Sequence, residues 1–194
     1  MTVAILRSRR KTFALEMGAD GIVARVPLRA GRAQIDAFLG KHRRWIETHE
    51  RKLQEQQEAA RTQGYLSADE IRTLTVQARK VIPERVRYYA PLVGVTYGRV
   101  TVRSQRSRWG SCSAKGSLNF NCLLMLAPLQ VLDSVVVHEL CHRKVMDHSK
   151  RFYAEVLRVF PEYPRWNRWL KENGPVLMER MEKGRTQKAE TGWI

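Results

Sequence analysis

The residues best placed for chemistry are two histidines and a glutamate in the run His138-Glu139-Leu140-Cys141-His142. Residues four apart share one face of a helix, so His138 and His142 can bind the same metal ion. Glu139 then lies one residue further round, where its carboxylate can reach a water molecule beside the metal. Hydrolysis by zinc needs this division of roles, because the metal acidifies the water and the carboxylate takes its proton. The spacing predicts a catalytic Zn²⁺ site with Glu139 as general base.

A third metal ligand is expected downstream of these two histidines. His148 follows His142 by six residues, which is enough chain to leave the helix and turn back. The metzincin pattern has the same histidine spacing but carries glycine where this chain has Val145, so the turn must differ. Glu162, twenty residues after His142, is the alternative ligand. We predict that His148 completes the site.

Two separated motifs resemble one known family. The first joins the His138–His142 run to Asp147–Phe152 (Asp-His-Ser-Lys-Arg-Phe). The second lies upstream and joins Ser107–Cys112 (Ser-Arg-Trp-Gly-Ser-Cys) to Gly116–Asn121 (Gly-Ser-Leu-Asn-Phe-Asn). Over roughly residues 5–175 the chain resembles the YgjP-like metallopeptidases, which are similar to the SprT and WLM metalloproteases. The resemblance implies one zinc on three histidines, with Glu139 as general base, in a small α+β zincin-like core.

The upstream motif supplies the candidate substrate-binding residues, Arg108, Asn119 and Asn121. An arginine near zinc can stabilise an oxyanion or a phosphate. A zincin usually presents an edge strand beside its metal, on which an extended peptide pairs through main-chain hydrogen bonds. Leu118 to Asn121, or the strand before Arg106, can form that edge. The three cysteines are interpreted as small packed residues and not as ligands.

The elements that must position these residues predict an α+β fold. Alternating apolar residues over residues 2–27 predict an antiparallel β-meander, and the apolar stripe over residues 32–61 predicts one long helix. Ser67 and Glu70 form a capping box for a helix that Pro83 is expected to kink or end. We therefore expect three parts: residues 1–64 packed on the core, a zincin-like core with an antiparallel sheet and active-site helix at 65–174, and a flexible basic tail at 175–194.

Composition narrows the class of protein. The 194 residues carry 35 Lys and Arg against 19 Asp and Glu, a formal charge of +16. No run is apolar and long enough to cross a membrane, and three cysteines are too few for a disulfide framework, so we expect a cytoplasmic protein. The excess charge predicts a basic surface for nucleic acid or nucleotides. Its residues are Arg7, Arg9, Arg10, Arg99, Arg103 and Arg106, and on a strand Arg99 and Arg103 share a face that leads towards the zinc site.

Three functions remain open on these patterns. A zinc metallopeptidase acting on a peptide or protein is favoured by the three histidines and Glu139. A metal-dependent nucleotide pyrophosphohydrolase is favoured by the arginines, although such enzymes commonly use Mg²⁺ on carboxylates. A nucleic-acid-associated protein with structural zinc is the third, and Glu139 speaks against it because a closed structural site needs no base.

Overall fold

The computed structural model describes residues 3–18 and 21–191 and, for residues 185–191, the backbone alone. The chain divides into two compact units, residues 1–59 and 60–194, so the boundary falls slightly before the one expected at residue 64. The described residues form six α-helices and two three-stranded sheets, which confirms the α+β class. No described helix is long and apolar enough to cross a membrane.

The first unit begins with a mixed sheet in place of the expected meander. Its strands are β1 (Ala4–Ser8), β2 (Ala14–Gly18) and β3 (Gly21–Pro27), in the order β1-β3-β2. β2 and β3 pair antiparallel, but β1 runs parallel to β3 and does not pair with β2. The prediction of an antiparallel meander is therefore wrong. β3 alternates buried and half-buried residues along its whole length, and this most apolar strand takes the centre of the sheet.

Two helices occupy the segment predicted as one. α1 spans Arg32–Lys41 and α2 spans Arg43–Gln63. The break lies at His42, whose backbone has φ −103° and ψ 14°. Gly40 weakens the last turn of α1, since glycine is a poor helix former. The apolar stripe continues across the break, and so periodicity alone did not reveal it.

The second unit is built on α3 (Ala68–Val93). Its capping box forms as predicted: the Glu70 amide donates to Ser67 Oγ at 3.2 Å, and the Ser67 amide donates to Glu70 Oε2 at 2.7 Å. Of the two predicted effects of Pro83, ending the helix is wrong, because α3 runs through this residue. Buried residues on both sides of the proline hold the helix in the core: Leu74, Ala78, Ile82, Val86 and Ala90. Their packing offsets the hydrogen bond that the proline removes.

A second sheet follows, with strands β4 (Val100–Arg103), β5 (Gly110–Cys112) and β6 (Leu118–Asn121). β6 is central, with β4 parallel on one side and β5 antiparallel on the other. The core sheet is thus mixed, and the antiparallel expectation holds only for β5 and β6. One face carries the fully buried Leu118 and Phe120, and it packs into the core.

Three helices complete the second unit: α4 (Leu129–Cys141), α5 (Lys150–Val159) and α6 (Tyr163–Thr191). Every residue of α4 from 131 to 137 is buried, and this burial overrides the low helix propensity of its three consecutive valines. The expected flexible tail at 175–194 is wrong for its first part, which continues α6 and buries Leu177 and Met181. The last three residues of that segment lie outside the described residues.

An ion pair fixes α4 against α3. Arg85 donates two hydrogen bonds of 2.7 Å to the two carboxylate oxygens of Asp133. The hydroxyl of Tyr89 donates to the same carboxylate at 3.2 Å, and Asp133 is only 5% exposed. A buried carboxylate with this many donors is well compensated, so the pair holds the helix that carries the histidines.

Candidate metal centre

α4 presents His138 and His142 on one face, as the four-residue spacing predicts. Their Nε2 atoms lie 3.2 Å apart. The helix ends at Cys141, where the Lys144 and Val145 amides both donate to its carbonyl and turn the chain. The turn then brings His148 Nε2 to 3.1 Å from His138 Nε2. All three histidines can place a ligand nitrogen within 4.8 Å of the others, so the structure brings together the predicted set.

The turn before His148 differs from the metzincin type, as Val145 requires. No described residue other than glycine has a positive φ, so Val145 adopts no left-handed conformation. Val145 is 8% exposed, and its side chain packs in the core of the second unit. The alternative ligand Glu162 is exposed, pairs with Arg165 at 3.6 Å and lies outside the histidine cluster. The geometry therefore favours His148 over Glu162 as the third metal ligand.

Hydrogen bonds at Nδ1 leave the Nε2 atoms free for a metal. His142 Nδ1 lies 3.1 Å from the carbonyl oxygen of Val145, which can only accept, so Nδ1 carries the proton. His138 Nδ1 lies 2.9 Å from the hydroxyl of Tyr163, a partner that can accept in the same way. Burial, with repulsion from the other two histidines, lowers the pKa of His138 to about 3, and burial lowers the pKa of His142. Neutral imidazoles with converging Nε2 lone pairs fit a divalent ion such as Zn²⁺.

Glu139 lies beside the histidines and is 6% exposed. Burial raises the pKa of its carboxyl group to about 8. Gly110 of β5 approaches it so closely that a Cβ there would lie 2.5 Å from Oε1 and 2.7 Å from Cγ. The absence of a side chain at residue 110 is therefore what lets the carboxylate occupy this position. Sequence reasoning placed Gly110 in the Ser107–Cys112 motif but did not predict this contact.

A cavity of about 220 Å³ opens next to Glu139 and His138. Trp109, Val135 and Leu170 supply an apolar lining, and Arg108 and Asn167 supply polar groups. Tyr163 also lines it, in addition to its contact with His138. Sequence reasoning missed Tyr163 and Asn167, which lie on α6, because no local spacing connects that helix to the histidine motif. Arg108, which the sequence analysis names as a candidate substrate-binding residue, lines this cavity.

The two predicted asparagines do not line this cavity. Asn121 is fully buried, and its Nδ2 donates to the carbonyl oxygens of Gln105 and Arg108 at 2.8 and 3.0 Å. Its Oδ1 accepts from the Leu123 amide at 3.1 Å. Asn121 thus holds the loop that carries Arg108, and the expectation that it binds substrate is corrected to a structural role. Asn119 is half-buried on β6 and donates to Ser111 Oγ at 3.2 Å across the strands.

The predicted basic surface separates into different environments. Arg7 donates to the carbonyl oxygens of Leu28 and Ala30, and Arg106 pairs with Glu182 at 3.0 Å. Arg99 lies directly before β4 and Arg103 ends it, and β4 is the sheet edge opposite β5. Among the described residues, Arg108 is the one arginine that lines the cavity beside His138. The expected stripe leading into the metal centre is therefore wrong, because the shared face of Arg99 and Arg103 belongs to the far strand.

The chain is similar to one protein family and to two solved structures. The model of the YgjP-like metallopeptidase domain matches residues 71–173. Two solved structures of metallopeptidase zymogens are similar. Abylysin from Pyrococcus abyssi is 21% identical with a TM-score of 0.43, covering 47% of this chain and 94% of its own. Jannalysin from Methanocaldococcus jannaschii is 18% identical with a TM-score of 0.44, covering 48% and 97%.

No curated protein sequence matches the chain. The family match spans more than half of the residues and contains all three histidines, Glu139, Arg108 and Tyr163. The chain therefore belongs to the YgjP-like metallopeptidase family.

Proposed function

We propose that the protein is a zinc-dependent peptidase in which His138, His142 and His148 hold the metal and Glu139 is the general base. The observation that carries the proposal is the convergence of three Nε2 atoms beside a buried carboxylate at the mouth of a cavity. A divalent ion at this position would supply positive charge that acidifies water and polarises a peptide carbonyl.

Glu139 would move the proton in this reaction. Its carboxylate takes a proton from the attacking water as the new carbon–oxygen bond forms. It returns that proton to the amine nitrogen as the carbon–nitrogen bond breaks. The burial that raises the pKa of this carboxyl group also keeps it out of bulk water beside the histidines, where it can exchange a proton with a bound water and a leaving amine. The close approach of Gly110 keeps the carboxylate in place for both transfers.

The edge of β5 is the proposed binding site for the substrate backbone. β5 pairs only with β6 among the described strands, so its other side is free for an extended peptide. Gly110 belongs to this strand and contacts Glu139, and a peptide paired to β5 would pass the base. The adjacent cavity would accept one substrate side chain. The guanidinium of Arg108 at this cavity is suited to the oxyanion of the tetrahedral intermediate.

Arg108 is also the observation that favours a second candidate, a metal-dependent nucleotide pyrophosphohydrolase, because a guanidinium binds phosphate equally well. A structural zinc site is less consistent with the arrangement, since the cavity and Glu139 leave one side of the cluster open to substrate.

Metal analysis joined to a substrate screen tests the proposal. The wild-type protein should bind about one Zn²⁺ per chain, and His138→Ala or His142→Ala should lose it. Glu172→Gln on α6 is the surface control and should retain both metal and activity. The screen should contain denatured proteins, short peptides and nucleoside triphosphates. If the protein hydrolyses the triphosphates but leaves the peptides uncleaved, the result would contradict the peptidase and support the second candidate.

A further inference from the structure

A second groove runs along the free edge of β4, away from the metal centre. It encloses about 360 Å³ and is lined on one side by Arg79 and Pro83 of α3. The other side is the continuous run Arg99, Val100, Thr101, Val102 and Arg103. Consecutive strand residues point to opposite faces of a sheet, so a groove that contacts all five follows the edge of the strand and not one face.

This edge has unused main-chain hydrogen-bonding capacity. Within the described residues, β4 has a strand neighbour only in β6, and its other side faces the groove. An unpaired edge strand is a template for a further strand. The five residues span about 16 Å at ~3.3 Å each, which is the length of an extended segment of five residues.

The charge of the groove selects its occupant. None of the seven described lining residues is acidic, and three are arginines. The structure gives Arg79, Arg99 and Arg103 no ion pair with a described residue, whereas Arg85, further along the same helix, is paired with Asp133. Arg99 and Arg103 are four positions apart, which is about 13 Å in extended chain. Carboxylates four residues apart on an added strand would match that spacing.

We propose that the α3–β4 groove binds an extended acidic segment of a protein partner, which adds to β4 as a fourth strand. Main-chain hydrogen bonds hold the segment on the edge, and the three arginines select its carboxylates. Single-stranded nucleic acid fits less well, because such sites combine positive charge with aromatic stacking surfaces and no described residue lining this groove is aromatic. The proposal does not depend on catalysis, since β4 and β5 are opposite edges of the sheet.

Fluorescence anisotropy with a labelled peptide of alternating glutamate and valine tests the charge selection on the full chain at low salt. The acidic peptide should bind, and its lysine–valine counterpart should not. Arg99→Glu and Arg103→Glu should each weaken binding about tenfold. Arg87→Glu is the matched control: it makes the same charge change at an exposed position of α3 outside the groove, and it should change affinity less than about twofold. Equal losses in all three variants would mean attraction to net charge alone and would overturn the proposal.

Alternate N-methylation of the peptide tests strand addition. Only alternate amides of an added strand face the edge, so methylation of one set should abolish binding and methylation of the other should preserve it. Hydrogen exchange at residues 99–103 should slow when the peptide binds. Equal binding of both methylated peptides would overturn strand addition. Tighter binding of single-stranded oligothymidylate than of the acidic peptide, lost in Arg99→Glu, would make the groove a nucleic-acid site and overturn the proposal as well. Melting temperatures of all variants should match the wild type, which excludes misfolding as the cause.

Discussion

Replacing Gly110 by alanine tests whether the contact with β5 holds Glu139 in its working position. The new Cβ would lie 2.5 Å from Oε1, 2.7 Å from Cγ and 2.9 Å from Cδ of Glu139. An ordinary contact is about 3.5 Å, so the carboxylate or the strand must move by about 1 Å. A displacement of this size at a reacting group costs on the order of 100-fold in rate. We therefore expect kcat/KM of Gly110→Ala to fall about 100-fold.

The metal content separates this effect from general damage. None of the three histidines is among the atoms nearest to the added Cβ, so Gly110→Ala should still bind one equivalent of Zn²⁺. Overpacking should lower the free energy of unfolding by about 1–3 kcal/mol. Gly40→Ala is the control, because a Cβ there meets nothing within 4 Å and alanine favours the helix. It should leave kcat/KM unchanged. Full activity in Gly110→Ala would refute the claim that this contact positions the base.

Three further predictions concern the surroundings of the site. Tyr163→Phe removes the hydrogen-bond partner of His138 Nδ1 and should weaken Zn²⁺ binding about 10–100-fold, as measured by competition with a chelator. Tyr153→Phe should leave the affinity unchanged. Equal affinities in the two variants would contradict the role of Tyr163. His148→Ala should lose stoichiometric Zn²⁺ and Glu162→Ala should keep it, and the opposite result would make Glu162 the third ligand. Asp133→Ala leaves Arg85 unpaired and should lower the free energy of unfolding in urea by about 3 kcal/mol. Asp36→Ala, which breaks an exposed ion pair, should lower it by less than about 1 kcal/mol. Similar losses in both variants would contradict the role of the Arg85–Asp133 pair in holding α4.

Local patterns predicted the parts of the site that lie on one element. The four-residue spacing of His138 and His142 has meaning only on a helix, and helix geometry alone brings their Nε2 atoms together. The Ser67–Glu70 capping box is likewise complete within one turn and forms as expected. His148 could also be predicted as a ligand, because only a short turn connects it to His142.

Contacts between distant elements could not be predicted in the same way. Tyr163 follows His138 by 25 residues, and Gly110 precedes Glu139 by 29. Their positions depend on how α6 and β5 pack on α4, which no local periodicity encodes. That α3 does not end at Pro83 could not be predicted for a similar reason, since the burial that keeps the helix continuous comes from other elements. The pairing of β1 was also predicted wrongly. The most deeply buried strand, β3, takes the centre of the sheet, so β1 pairs parallel with β3 and not antiparallel with β2.

The most direct test of the central claim is the comparison of metal content and hydrolysis in Glu139→Gln. The three histidines are proposed to bind the metal and Glu139 to transfer the proton, so the two properties should separate in this variant. We predict that the variant binds one Zn²⁺ with wild-type affinity and loses at least ~100-fold in hydrolysis, the contribution expected of a general base. A Glu139→Gln protein that keeps full activity, or that loses its metal together with activity, would contradict the account.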